Sequence, residues 1–369
     1  MGALRTLFAI AVVFAHSLGN LLVGGRNAVQ LFYMISGFLI SYVLVEKKAY
    51  PKIKDFYINR YLRLYPIYFA VAALTLAAFS VAIVIGKQVT FFKIYSDAPL
   101  FADILLVASN IILFFQDWVM FSGVENNQLV FSIDFRKSEV MLWQGLLASQ
   151  AWTLGVELTF YLLAPFILFK KRIVIILLSA SLLLRAYLIY IGIGFNDPWT
   201  YRFFPTELAL FLLGSLAHQV LLPAYRNIFD KGQLERYSAI ATYLLISLTL
   251  VFSFIPAKEL YKTLALFSLF LLLLPSTFIF QSKRDWDKSI GDLSYPIYIC
   301  HTLVIYVLTF VVARANISSS LQILGKTIPL DKLIIGFGAV ILSIVFSMLL
   351  NRFIGEPLET LRNRFRKSH

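Results

Sequence analysis

Eleven apolar runs punctuate the chain, at about 4–22, 28–45, 64–86, 100–116, 151–169, 172–192, 203–222, 238–256, 260–280, 292–313 and 332–354. Most approach the roughly 20 residues a helix needs to cross a hydrocarbon core about 30 Å thick. The polar stretches between them are short, the longest covering about 117–150. The pattern predicts an all-α fold, a polytopic transmembrane helix bundle that forms one integral-membrane domain over residues 1–369. The first run begins almost at once and carries Arg5 and His16 without a small-residue cleavage site, so it reads as a membrane helix and not as a removable leader.

Composition agrees with this pattern. Apolar residues make up 59% of the chain and charged residues only 14%, against about 25% charged in an average soluble domain. A soluble enzyme, a disordered chain and a disulfide scaffold are excluded, the last also because Cys300 is the one cysteine. The net charge of +13 could suggest nucleic acid on a soluble protein. Here it reads as topology, since Lys and Arg gather on the cytoplasmic side of membranes. Basic clusters follow the second run (Lys47, Lys48, Lys52, Lys54, Arg60, Arg63), the fifth (Lys170, Lys171, Arg172), the seventh (Arg226, Lys231, Arg236) and the ninth (Lys283, Arg284, Lys288). A last cluster, Arg362, Arg364, Arg366 and Lys367, ends the chain. All fall on one side if 100–116, which is short and contains Asp103 and Asn110, dips into the bilayer without crossing. The expectation is then about ten spans with both termini cytoplasmic. The alternative is that 100–116 spans and a later run does not.

Ionisable groups inside spans are costly and tend to face a cavity or a partner. His16, Glu157, Arg185, Glu207 and His301 lie within runs, with Arg5 and Arg202 near their ends. Paired charges that hold helices together would explain them, as would a polar cavity. Arg5 and His16 stand eleven residues apart, close to three full turns, so they share a face with roughly 16 Å between them along the axis. Ser294, Tyr298 and His301 share another face at i, i+4, i+7 spacing. His218, alone beside a helix end, and His369, in the tail, read as solvated or structural.

These positions resemble the membrane acyltransferase-3 family, which acylates bacterial surface glycans. The matching segments run in family order: Arg5 to His16 in LRTLFAIAVVFAH, then VQLFYMISGF at 29–38, RYLRLYP at 60–66 and WTLGVE at 152–157. Glu207 and Gly214 in TELALFLLG follow, then SYPIYICH at 294–301 and Glu356-Pro357. The chain departs from the family at Gly2-Ala3, where relatives often carry Asp-Gly. It departs again at Ala28-Val29-Gln30, against Gly-Val-Asp, and at Leu158-Thr159, where a second Glu and a Gln are common.

The resemblance implies an O-acyltransferase, a multi-pass protein of the bacterial inner membrane. Its donor would be acyl-CoA, most simply acetyl-CoA, and its acceptor a hydroxyl of a cell-surface or lipid-linked carbohydrate. Such a transfer needs a base, a donor site and an oxyanion stabiliser. His16 fits the base, with an ordinary pKa near 6.5; Glu157 or His301 could orient it. Arg60 and Arg63 offer planar forks that suit the CoA phosphates, although alone they could equally touch anionic membrane lipid. Arg5 adds a third phosphate contact or pairs with the loop. Ser36 and Gly37 either line the acyl path or let helices approach closely. Trp152 is an outer-interface anchor or a sugar platform. No His, Cys and Asp cluster has metal-ligand spacing, so no metal is expected. The competing class is a proton-coupled membrane transporter or exporter of a polar or saccharide substrate, although no inverted repeat or matched pair of interrupted helices supports it. A non-enzymatic partner of a polysaccharide-synthesis complex is the other.

Overall fold

The computed structural model describes residues 1–315, 319–323 and 326–366; Lys367 and His369 lie outside them. In chain order the elements are α1 (Gly2–Ser17), α2 (Gly25–Ser41), α3 (Ile53–Val84), α4 (Thr90–Asp97), α5 (Leu100–Ile112), β1 (Ser122–Glu125), β2 (Gln128–Phe131) and α6 (Trp152–Ile167). There follow α7 (Lys171–Tyr190), α8 (Phe204–Leu216), α9 (Leu222–Ile228), α10 (Lys231–Val251), α11 (Glu259–Gln281) and α12 (Asp285–Arg314). The last are β3 (Ser320–Ile323), β4 (Lys326–Pro329), α13 (Leu330–Leu350) and α14 (Glu356–Asn363). Short π turns extend α2 (Tyr42–Glu46), α8 (Ala217–Leu221) and α13 (Asn351–Gly355).

Each of the eleven apolar runs forms a helix, and the protein is an all-α polytopic bundle. Among the described residues, eight helices are long and apolar enough to cross a membrane. The runs that fall short are α1, α5 and α6, of 16, 13 and 16 residues. Helix α5 stops where Leu113 takes a positive φ of 67°. At 1.5 Å per residue it reaches only about 20 Å, short of the hydrocarbon core. Large apolar side chains stay exposed along the long helices, among them Ile176, Leu183, Ile341 and Val345. In water such surface would drive association; in a bilayer it faces lipid.

The chain folds as two compact units. The first comprises Met1–Ile67 and Leu210–His369, the second Tyr68–Ala209. In the first, α1 lies parallel to α12. Gly2 meets Gly291 so closely that a Cβ on Gly2 would stand 1.8 Å from the Asp287 carbonyl oxygen. Asp287 turns its carboxylate onto the start of α1 and accepts from the Gly2 N–H at 2.6 Å and the Ala3 N–H at 2.9 Å. Two of the amides that a helix start leaves without an intrahelical acceptor are thus satisfied from a neighbouring helix. One turn on, the Thr6 hydroxyl donates to the Ile290 carbonyl at 2.7 Å. Helix α2 packs on the second half of α8 through a reciprocal glycine contact: a Cβ on Gly37 would lie 1.9 Å from the Phe211 carbonyl oxygen, and one on Gly214 1.9 Å from that of Met34.

In the second unit, Asn110 of α5 is buried and staples the following loop. Its amide donates to the Gly145 carbonyl at 3.0 Å and its oxygen accepts from the Leu147 N–H at 2.9 Å. The polar residue that weakens 100–116 as a lipid-exposed span is therefore an internal fastening. Strands β1 and β2 form a hairpin in which Asn126 and Asn127, φ 49° and 59°, make the turn, the backbone state that a two-residue hairpin loop requires.

Candidate functional site

The parallel packing of α1 on α12 fixes the first feature of the site. From Gly2 beside Asp287, fourteen residues along each helix lead to His16 and His301. Their rings meet with centroids 5.0 Å apart, inclined at 45°. His301 is fully buried. His16, on the last turn of α1, is exposed rather than enclosed, and its ring leans against that of His301.

Both rings are held by backbone. His16 Nδ1 lies 3.0 Å from the Val12 carbonyl oxygen and His301 Nδ1 2.6 Å from that of Tyr298. A carbonyl only accepts, so each Nδ1 carries the proton and, in a neutral ring, Nε2 holds the lone pair. His301 Nε2 is buried with no hydrogen-bond partner among the described residues. Tyr298 stacks edge-on against Phe32 and tilts over His301, and Phe32 meets Phe8, so aromatic side chains line the flank of the pair.

The arginines form the second feature. Arg60 is 6% exposed, well inside the protein for a guanidinium. Its Nη2 donates to the Tyr50 hydroxyl and to Asn59 Oδ1, each at 3.0 Å, and its plane lies over Phe56. Burial would raise the Tyr50 hydroxyl, but the Arg60 and Arg366 guanidiniums beside it hold it below the ordinary phenol value. One turn along α3, Arg63 lines a cleft with Asp292, Tyr295, Glu359 and Arg362. The Tyr295 hydroxyl ties α12 to α3 at the Leu64 carbonyl, 2.6 Å. Arg5, Arg63 and Lys288 all lie within electrostatic reach of Asp292. From Asp292 to His301 is nine residues of α12, about 13 Å of rise and half a revolution. The cleft and the histidine pair therefore lie at different depths along that helix.

Gly37 lies against the Phe211 backbone, and its carbonyl accepts from the Ser215 hydroxyl at 3.0 Å. Close packing, not an open backbone, is what this glycine provides; Ser36 beside it is half-buried. His218 is buried in a polar network, with Nδ1 2.9 Å from Ser41 Oγ and Nε2 3.0 Å from Glu46 Oε2, while Arg226 holds Glu46 Oε1. Of its two expected settings, the structural one is observed.

In the second unit, Glu157 is half-buried and accepts a hydrogen bond from the Tyr161 hydroxyl one turn on. Glu207 is fully buried and paired with Arg185 at 2.6 Å, which fastens α7 to α8. Trp152 is 4% exposed, beneath the Arg202 guanidinium at 4.3 Å and against Tyr201. It is therefore no lipid-facing anchor: Arg202, fixed by Asp197 at 2.6 and 2.9 Å, covers it. Burial would raise the Asp197 carboxyl, but Arg202 and Arg136 hold it below the usual range.

Asp117, absent from the sequence expectations, is 3% exposed, with Oδ1 lacking a partner among the described residues and facing Gly155 of the WTLGVE segment. Burial pushes its carboxyl up to about 7 against the pull of two backbone amides. Nothing in the local sequence signals this, because Asp117 reads as an ordinary loop acid until the fold covers it. Arg362, Tyr50 and Asn59 were likewise legible only as part of a basic or polar loop.

The chain is similar to known proteins. The profile of a family described as an acyltransferase domain, acyltransferase-3, matches residues 1–352. A protein of Staphylococcus aureus (strain COL) named "Putative O-acetyltransferase" is 26% identical over 381 aligned positions, covering 97% of this chain and 56% of the relative; the same holds for that of strain N315. An uncharacterized protein of Aquifex aeolicus is 29% identical over 178 residues, 46% of this chain and 75% of the relative. The chain thus spans about half the length of the staphylococcal relatives. No solved structure matches it at significance.

Proposed function

The chain belongs to the acyltransferase-3 family and is a multi-pass membrane acyltransferase; from that premise we propose that it moves an acyl group, most simply acetyl, from cytoplasmic acyl-CoA to a carbohydrate hydroxyl. The acceptor is a cell-surface or lipid-linked glycan, the membrane is the bacterial inner membrane, and both termini face the cytoplasm across about ten spans. The names of the staphylococcal relatives favour oxygen as the accepting atom.

The observation that carries this reading is the His16–His301 pair, with each Nδ1 on a backbone carbonyl and the His16 ring exposed. A general base needs a lone pair aimed at its substrate and a fixed ring. In the reaction His16 Nε2 takes the proton of the acceptor hydroxyl as its oxygen attacks the thioester carbonyl. The tetrahedral intermediate collapses, the carbon–sulfur bond breaks, and the imidazolium returns its proton to the CoA thiolate. His301, buried behind the ring, is a positioning residue. Arg60 and Arg63 bind the donor phosphates, and Arg5, within electrostatic reach of Asp292 and on the same face of α1 as His16, adds a third phosphate contact. Ser36 borders the acyl path.

The test is thiol release. Purified protein given acetyl-CoA and a crude lipid-linked glycan frees CoA and acylates the glycan, and His16→Ala does neither while still inserting. Glycan-independent movement of substrate across proteoliposomes, with no thiol released, would instead make the protein a transporter.

A further inference from the structure

Helix α14 stands beside the arginines of α3. The Glu356-Pro357 pair opens it, directly after the π turn Asn351–Gly355. Its start is held by Asn351 Nδ2, which donates to Glu356 Oε1 at 3.3 Å, and by an ion pair of Glu359 with Lys288 at 3.0 Å. Its far end is fastened where Asn59 Nδ2 donates to the Arg362 carbonyl oxygen at 3.0 Å. Asn59 also bonds Arg60, so one side chain joins the two arginine-bearing helices. Arg362 then forms a wall of the cleft that Arg63 lines, and the Arg366 guanidinium stands beside the Tyr50 hydroxyl to which Arg60 donates.

Arg362 stands close enough to both Arg60 and Arg366 to be repelled by them. Its Nε is buried without a hydrogen-bond partner among the described residues. The carboxylates lining the cleft are Asp292 and Glu359, and Glu359 is already paired with Lys288. Bringing like charges together in a half-buried place is costly unless an anion joins them. Guanidinium forks are suited to the oxygens of phosphate.

Resting on the donor assignment above, we propose that α14 is part of the donor site. Arg362 and Arg366 complete, with Arg60 and Arg63, a four-guanidinium cluster for a soluble ligand that carries several phosphate charges at once, a pyrophosphate together with a phosphomonoester. An anionic lipid headgroup offers the same chemistry but fewer charges at one point. Four neighbouring guanidiniums carry more charge than one headgroup phosphate needs, which favours the nucleotide.

The experiment measures binding of CoA and of dephospho-CoA to full-length protein in neutral-lipid nanodiscs, and retention of phosphatidylglycerol by the purified protein. Wild type binds CoA more tightly than dephospho-CoA. The R362Q/R366Q variant binds CoA about tenfold to a hundredfold more weakly, the loss expected for charge-assisted hydrogen bonds, with a shallower salt dependence and a smaller preference over dephospho-CoA. Because Asn59 holds the Arg362 backbone carbonyl, these substitutions leave the anchor of α14 in place and the melting temperature unchanged. R362K, which keeps charge but not the fork, falls between. Affinity for CoA within twofold of wild type in R362Q/R366Q, with R63Q weakened, overturns this proposal alone. Loss of phosphatidylglycerol retention with CoA affinity intact also overturns it and makes the cluster a lipid site. Failure of the wild type to bind CoA at all sinks the donor assignment itself.

Discussion

Replacing His16 by alanine separates chemistry from folding, because the structure keeps the two costs far apart. The ring is exposed and ends α1. Its loss forfeits the ring contact with His301, worth about 0.5–1.5 kcal/mol, and the hydrogen bond to the Val12 carbonyl. The melting temperature in detergent should therefore move little. The catalytic cost is larger: a positioned general base contributes roughly 10²–10⁴ in rate, about 3–5 kcal/mol on the barrier. The arginines lie elsewhere, around Tyr50 and Asp292, so the KM for acyl-CoA should stay near that of wild type while kcat collapses. The assay is CoA release with a thiol reagent, run with melting curves on the same preparations. Turnover in H16A above about a tenth of wild type would refute the base assignment. A fall in kcat matched by an equal fall in melting temperature would refute the separation of roles. By contrast, His301→Ala empties a fully buried position and should cost about 2–4 kcal/mol in stability as well as activity.

Three further outcomes are expected. Arg63→Gln should raise the KM for acyl-CoA about tenfold with kcat largely retained, as checked by initial-rate kinetics against donor concentration. Gly37→Ala places a methyl 1.9 Å from the Phe211 carbonyl and should destabilise the α2–α8 contact by at least about 1–3 kcal/mol, visible as a lower melting temperature. Asp117 titrates near 7 in the folded chain against 3.8 as a free side chain, so between those values the folded state holds the extra proton. Stability should fall as pH rises from about 4 to about 7 and then level off, by about 4 kcal/mol in all. Asp117→Asn should remove that slope and be the more stable protein at pH 8, and equal melting profiles for the two from pH 5 to 8 would contradict the burial argument.

The primary sequence by itself determined the class of fold. Long uncharged stretches leave the backbone no partner in lipid other than itself, so every apolar run became a helix. Family motifs, in order from Arg5 to Glu356-Pro357, brought the acyltransferase reading within reach, and helical spacing put Arg5 and His16 on one face. What pairs with what was beyond periodicity, which reports the face of a helix but not its neighbour. His301 met His16 because Gly2 and Gly291 let α1 and α12 nearly touch in parallel. Of the two readings open for Glu207, a polar cavity or an ion pair, the pair with Arg185 is what forms; of the two open for Gly37, an acyl path or close packing, it is packing on Phe211. Arg362 was legible only as one of a terminal basic cluster, and Asp117 carried no local signal. Their environment is made by chain hundreds of residues away in the one case, and by burial under a distant helix in the other. Contacts of that range arise only when the helices assemble, which is why the tertiary structure alone decided them.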